Sequence, residues 1–219
     1  MDAAVRVFPV CVGGQRGGDR AAGVEAASSG PQRRPMDRSK GRMVRAHASA
    51  DLQPTPMEQP SSSPAYGFLT VVDSPSHGLF GGYLLVDAAG RPLEFHCTAP
   101  VKVSRAQQIL YGATLQGHLH GQQIGAALLA EGSVAPLVVL TDLDSMLAVR
   151  PHTDLPVALV TRADAAAGFE LGTAKVTAAA GDPAAETMLR ERLEPLAAAV
   201  DLHEPFDRIR AAIEEAQRH

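Results

Sequence analysis

The sequence predicts an α/β fold: a three-stranded antiparallel meander, then alternating helices and parallel strands in one mixed sheet, closed by C-terminal helices. Three observations predict it. Three β-like runs follow one another between Tyr66 and Ala99, each bounded by turn residues. Two continuous apolar runs, residues 135–142 and 155–161, flank a short helix-forming segment. Apolar residues then recur at helical spacing towards the C-terminus.

The first run, residues 67–73 (GFLTVVD), is rich in β-branched residues and ends in the turn-like Ser74-Pro75-Ser76-His77-Gly78. The second, residues 81–87 (GGYLLVD), leads through Ala88-Ala89-Gly90 into the third, residues 91–99. In the third run, alternation puts Leu93, Phe95 and Cys97 on one face and Glu94, His96 and Thr98 on the other. Ser104 is a good N-cap for a helix carrying Ala106, Ile109, Leu110 and Ala113. A second helix follows with Ile124, Ala127, Leu128 and Leu129; Gly112, Gly117 and Gly121 interrupt the pattern, and residues 115–121 read as a turn between the two. The runs at 135–142 and 155–161 read as strands buried on both faces, with a short helix from Leu143 to Val149 between them. Residues 169–178 fit an edge strand or an extended loop. Asp182-Pro183 has the form of an N-cap followed by proline in the first turn, opening a helix lined by Leu189, Leu193, Leu196 and Val200. After Pro205, Phe206, Ile209 and Ile213 form one more apolar stripe, which reads as core and otherwise as a surface for self-association into a homo-oligomer.

Composition divides the chain of 219 residues at about residue 65. Residues 1–65 are rich in Gly, Pro, Ser and Arg without sustained periodicity and read as a disordered tail, leaving 66–219 as a single α/β domain. Met36, Met43 and Met57 all precede the domain, so a later translation start fits as well. The tail has 9 Lys/Arg and 6 Asp/Glu, a net of +3, and the rest has 11 and 18, a net of −7. An acidic folded part argues against a nucleic-acid partner, whose phosphates need cationic side chains. No apolar run reaches the ~20 residues of a membrane helix, and no apolar segment follows a basic start as in a secretory signal. Cys11 and Cys97 form no regular framework, which fits a reduced, cytoplasmic setting.

Asp73, Asp142 and Asp144 are candidate Mg²⁺ or Mn²⁺ ligands, with Asp164 as a further carboxylate, because hard divalent cations take oxygen ligands. The competing reading makes Asp73 a turn residue and Asp142 or Asp144 a helix cap. His96, Cys97, His118 and His120 are zinc-type residues, but strand geometry turns His96 and Cys97 to opposite faces. Cys97 as a nucleophile lacks a base on its own face. Gly81-Gly82 lacks the context of a phosphate loop and fits a close backbone approach better.

The order of elements is similar to that of the ribonuclease H-like fold. Asp73 closes the first strand and Gly81-Gly82-Tyr83 lies in the second. Ser104-Arg105-Ala106-Gln107 opens the helix after the third, and Thr141-Asp142 closes the fourth. The resemblance implies carboxylates on the first strand, in the first helix and at the end of the fourth strand, which in nuclease members hold two divalent cations for phosphodiester hydrolysis. Asp73 and Asp142 match two of those positions, whereas Gln107 and Gln108 stand where the helix carboxylate is expected. An amide brings no charge to a site that must hold two hard cations. The segment from Gly81 to Gly112 also resembles a bacterial protein family for which no activity is established, so it adds no mechanism. Two functions follow as expectations. One is a non-catalytic binding or scaffold module on a ribonuclease H-like frame, without a cofactor. The other is a phosphodiesterase or nuclease dependent on Mg²⁺ or Mn²⁺, using Asp73 and Asp142.

Overall fold

The computed structural model describes residues 7–10, 63–179 and 183–218. The meander is present. Strand β2 (Ala65–Ser74) pairs antiparallel with β3 (Gly78–Asp87), and β3 with β4 (Pro92–Thr98). The second turn is built as its residues dictate. The Asp87 carboxylate accepts from the Ala89 and Arg91 amides, each at 2.9 Å, and Gly90 takes φ +75°. Strands β5 (Val139–Thr141) and β6 (Val157–Arg162) add in parallel beside β2, as the buried runs imply.

The sheet is larger than the three meander strands and two buried runs that the sequence marks out. The ambiguous segment 169–178 is a hairpin, β7 (Phe169–Leu171) and β8 (Ala174–Ala178), turning at Gly172 and pairing with β6. At the other edge β1 (Val7–Val10) pairs in parallel with β4. That strand lies inside the segment read as a disordered tail; it is only four residues long and contains Pro9, a residue that an edge strand tolerates. Residues 11–62 lie outside the described residues. The strand order is β1-β4-β3-β2-β5-β6-β8-β7, with seven of the eight strands contributed from Ala65 onward.

Two further expectations need correction. Gly117 and Gly121 do not separate two helices. Helix α1 (Arg105–Tyr111), which has a full Ser104/Gln107 capping box, is followed by a 3-10 turn (Gly112–Thr114), α2 (Leu115–Gly117), a π-helix (His118–Gly125) and α3 (Ala126–Glu131). Of the three interrupting glycines, Gly112, with φ +50°, does break the helix, and the chain stays helical through the other two. A Cβ on Gly121 would meet the Ala148 backbone at 2.5 Å, so this glycine serves a close helix contact with the 3-10 helix Asp144–His152. In β4, Leu93 does not share a face with Phe95. The pairing with β3 shifts by one residue at Leu85/Val86, a bulge that turns Leu93 to the face of Glu94.

Both faces of the sheet are covered. Helices α4 (Pro183–Ala197) and α5 (Glu204–Ala216) lie on one face, where Leu189, Leu193, Leu196, Phe206, Ile209 and Ile213 pack on Tyr66, Phe68, Leu84 and Leu140. The C-terminal stripe is therefore core. Asp182 lies outside the described residues. On the other face Ile124, Leu128, Met146 and Val149 pack on Leu69, Tyr83, Leu85 and Val139. Gly81 and Gly82 let both layers reach β3. A Cβ on Gly81 would overlap Ile124 and one on Gly82 would overlap Ile209, on opposite faces of the strand. Gly82→Val is expected to lower stability by about 1–3 kcal/mol through overpacking, read as a shift in the urea midpoint at unchanged slope.

Candidate functional site

The carboxyl ends of parallel strands are where ligands collect in α/β sheets; there β6 ends in Arg162, and Asp142 directly follows β5. The first turns of α5 face these ends. Phe206, Ile209 and Ile213 take the core side of this helix, and the spacing of four and three places His203, Asp207 and Arg210 together beside the strand ends. They line a cleft of about 630 Å³ with Asp142, Thr161 and Arg162, over an apolar floor of Val160 and Phe206. The size is that of a small-molecule site.

Asp142 is spoken for within this cleft. It accepts a 2.6 Å hydrogen bond from Thr70 Oγ1 on β2 and an ion pair from the Arg210 guanidinium on α5. Arg210 also donates to Asp207 at 3.1 Å. Asp142 is 14% exposed at its side chain, so these partners stand in for the water that its carboxylate has given up. No described residue pairs with the Arg162 guanidinium, which is exposed at the rim. His203 Nε2 is buried and has no hydrogen-bond partner among the described residues.

The predicted carboxylates do not converge. The register Leu69↔Thr141 sets Asp142 beside Thr70, three residues before Asp73, which is about 10 Å along the strand. The odd spacing also puts Asp73 on the opposite face, where it lies near His120. Asp144 opens the 3-10 helix and Asp164 sits in the turn after β6, both exposed. Gln107 lies on α1, which has no buried residue, and closes the capping box. Among the described residues no group of three or more His, Cys, Asp or Glu side chains could hold a metal ion.

The zinc-type residues are dispersed as well. His96 stacks on Tyr83 and pairs with Glu94 at 3.0 Å. Burial works to raise the Glu94 carboxyl, but hydrogen bonds from Ser133 and His96 outweigh it and hold the group below its ordinary value. Burial, with the Glu94 charge, pushes the Tyr83 phenol far up. Cys97 is a free, half-buried thiol raised by burial, which disfavours the reactive thiolate. His118 is held by Gln122 and Gln123 and stacks on Tyr111. His120 is buried in the π-helix, 2.7 Å from Ser145 Oγ; desolvation lowers its pKa, and the Asp73 charge opposes that shift.

Arg162, His203 and Arg210 were not singled out by sequence reasoning. The signal for Arg162 was its place at the end of a buried strand, directly after Thr161. Arg210 and His203 had only helical spacing to mark them. No protein-family model matches this chain, and no curated protein is significantly similar to it.

Two outcomes are expected. Arg210→Ala strands a part-buried carboxylate and is expected to cost about 1–3 kcal/mol in urea unfolding, more than Asp142→Asn, which leaves a half-exposed arginine to water. A histidine whose folded pKa lies below its unfolded value binds its proton more readily in the unfolded chain. Its contribution is thus fully present above the ordinary value of 6.5 and is lost as the pH falls below that. Urea midpoints between about pH 7.5 and about pH 5.5 are expected to fall less steeply for His120→Gln than for the parent.

Proposed function

We propose that the chain is a non-catalytic binding module on a ribonuclease H-like frame, with its ligand cleft at the ends of β5 and β6. The frame is supported by the order β4-β3-β2-β5-β6, in which an antiparallel meander is extended by two parallel strands beside its first strand. The observation that carries the non-catalytic reading is the pairing of Asp142 with Arg210. The carboxylate that would bind a cation in the nuclease arrangement is neutralised by a built-in one, and the other matched carboxylate, Asp73, faces away through the sheet. Two hard cations need several carboxylate oxygens at 2.0–2.6 Å, and these side chains do not supply them together.

Calorimetric titration with MgCl₂ and MnCl₂ is the test, run beside hydrolysis of bis(p-nitrophenyl) phosphate. The expected result is no saturable heat in the parent or in Asp142→Asn, and no hydrolysis above background. Saturable metal binding that vanishes in Asp142→Asn, accompanied by hydrolysis, would establish the phosphodiesterase instead.

A further inference from the structure

The two edges of the sheet are protected in different ways. An open edge offers unpaired amides and carbonyls to any other strand, and proteins blunt it with short strands, charged side chains, prolines or bulges. At one edge β7 is three residues long, and the Arg190 guanidinium donates to its Glu170 carbonyl at 3.1 Å. Towards the other edge β4 has Pro92 and the bulge at Leu93 as its first two residues. From Glu94 to Thr98 it has no lysine, arginine, proline or glycine. The Glu94 carboxylate is tied to His96 and Ser133 and so does not guard the edge. Strand β1 lies along this unguarded length, with Val7 to Val10 matched in register to Phe95 to Thr98. Among the described residues the apolar layers on both faces are formed from Tyr66 onward, so the centre of the sheet does not depend on β1.

We propose that the Glu94–Thr98 edge of β4 is a strand-docking surface for a second copy of this chain, and that β1 is the guard strand that keeps it closed. With the guard displaced, two β4 strands pair antiparallel about a two-fold axis near His96 and join two sheets into one. Such an axis makes the contact self-complementary, so a single edge serves both copies. Tethering favours the closed form, because β1 is held near its own β4 whereas a second copy is recruited from solution. Met36, Met43 and Met57 all lie between β1 and β2. A chain begun at any of them, or cleaved within residues 11–62, loses the guard and keeps β2 to β8. Strands β3 and β2 separate this edge from β5, so the surface is independent of the ligand cleft.

The experiment compares the full chain with its Phe8→Pro/Val10→Pro variant by sedimentation, in reductant and over a range of concentration. Proline removes amide donors from β1 without shortening the chain or touching the described apolar layers. The parent is expected to keep the monomer mass. The variant is expected to rise towards twice that mass between about 10 µM and about 1 mM, the weak range of so short a pairing. Hydrogen exchange locates the contact. The β4 amides turned away from β3 are expected to exchange about tenfold or more slower in the associated variant than in the dilute one. A variant that stays monomeric throughout, or one that associates without slowed exchange in β4, overturns the docking surface. A parent that associates as readily as the variant overturns β1 as its guard.

Discussion

The fold depends on the sheet being covered on both faces at its centre. Phe68 and Leu69, adjacent on β2, are both fully buried, one beneath α5 and the other beneath the opposite helical layer. The same division recurs at Leu84/Leu85 on β3 and at Val138/Val139 leading into β5. A period of two in side-chain direction with no polar alternation leaves no face for water, so helices must lie on both sides. Only a chain that supplies apolar stripes before β5 and after β8 can satisfy that. Ile124 and Leu128 provide one stripe, and α4 with α5 provides the other.

Much of the fold was legible because these demands are local. The β2–β3–β4 meander showed in its β-branched runs and in the Asp87–Gly90 turn, and the C-terminal stripe showed in its 3.6-residue spacing. The misses have a common cause. A glycine can break a helix or allow another backbone near, and sequence alone does not separate the two roles. The sequence around Gly121 suggests the first, and this glycine performs the second. The β7–β8 hairpin, at three and five residues, is too short for alternation to stand out, and the bulge at Leu93 leaves no mark in composition. As for the cleft, Asp142 was identified, but its partner Arg210 lies 68 residues away and carries no local signal.

Asp142 illustrates how one residue type at one strand end serves opposite ends. A carboxylate left among other carboxylates invites a cation; a carboxylate met by an arginine and a threonine hydroxyl becomes a strut between helix and sheet. The second arrangement fixes the α5 side of the cleft to β5 and leaves Arg162 as the cation facing outward.

Helix α1 stands apart from this economy of contacts. It has seven residues, none of them buried, and Ile109 and Leu110 are 66% and 81% exposed. A helix so short is marginal by itself, and this one is held by its cap and by continuity with the turns that follow. Its opening would uncover no core surface, so its amides should exchange with solvent far ahead of those in β2 or α5, through fluctuations that leave the domain intact. Residues 105–111 thus carry an apolar edge that the core neither needs nor shields.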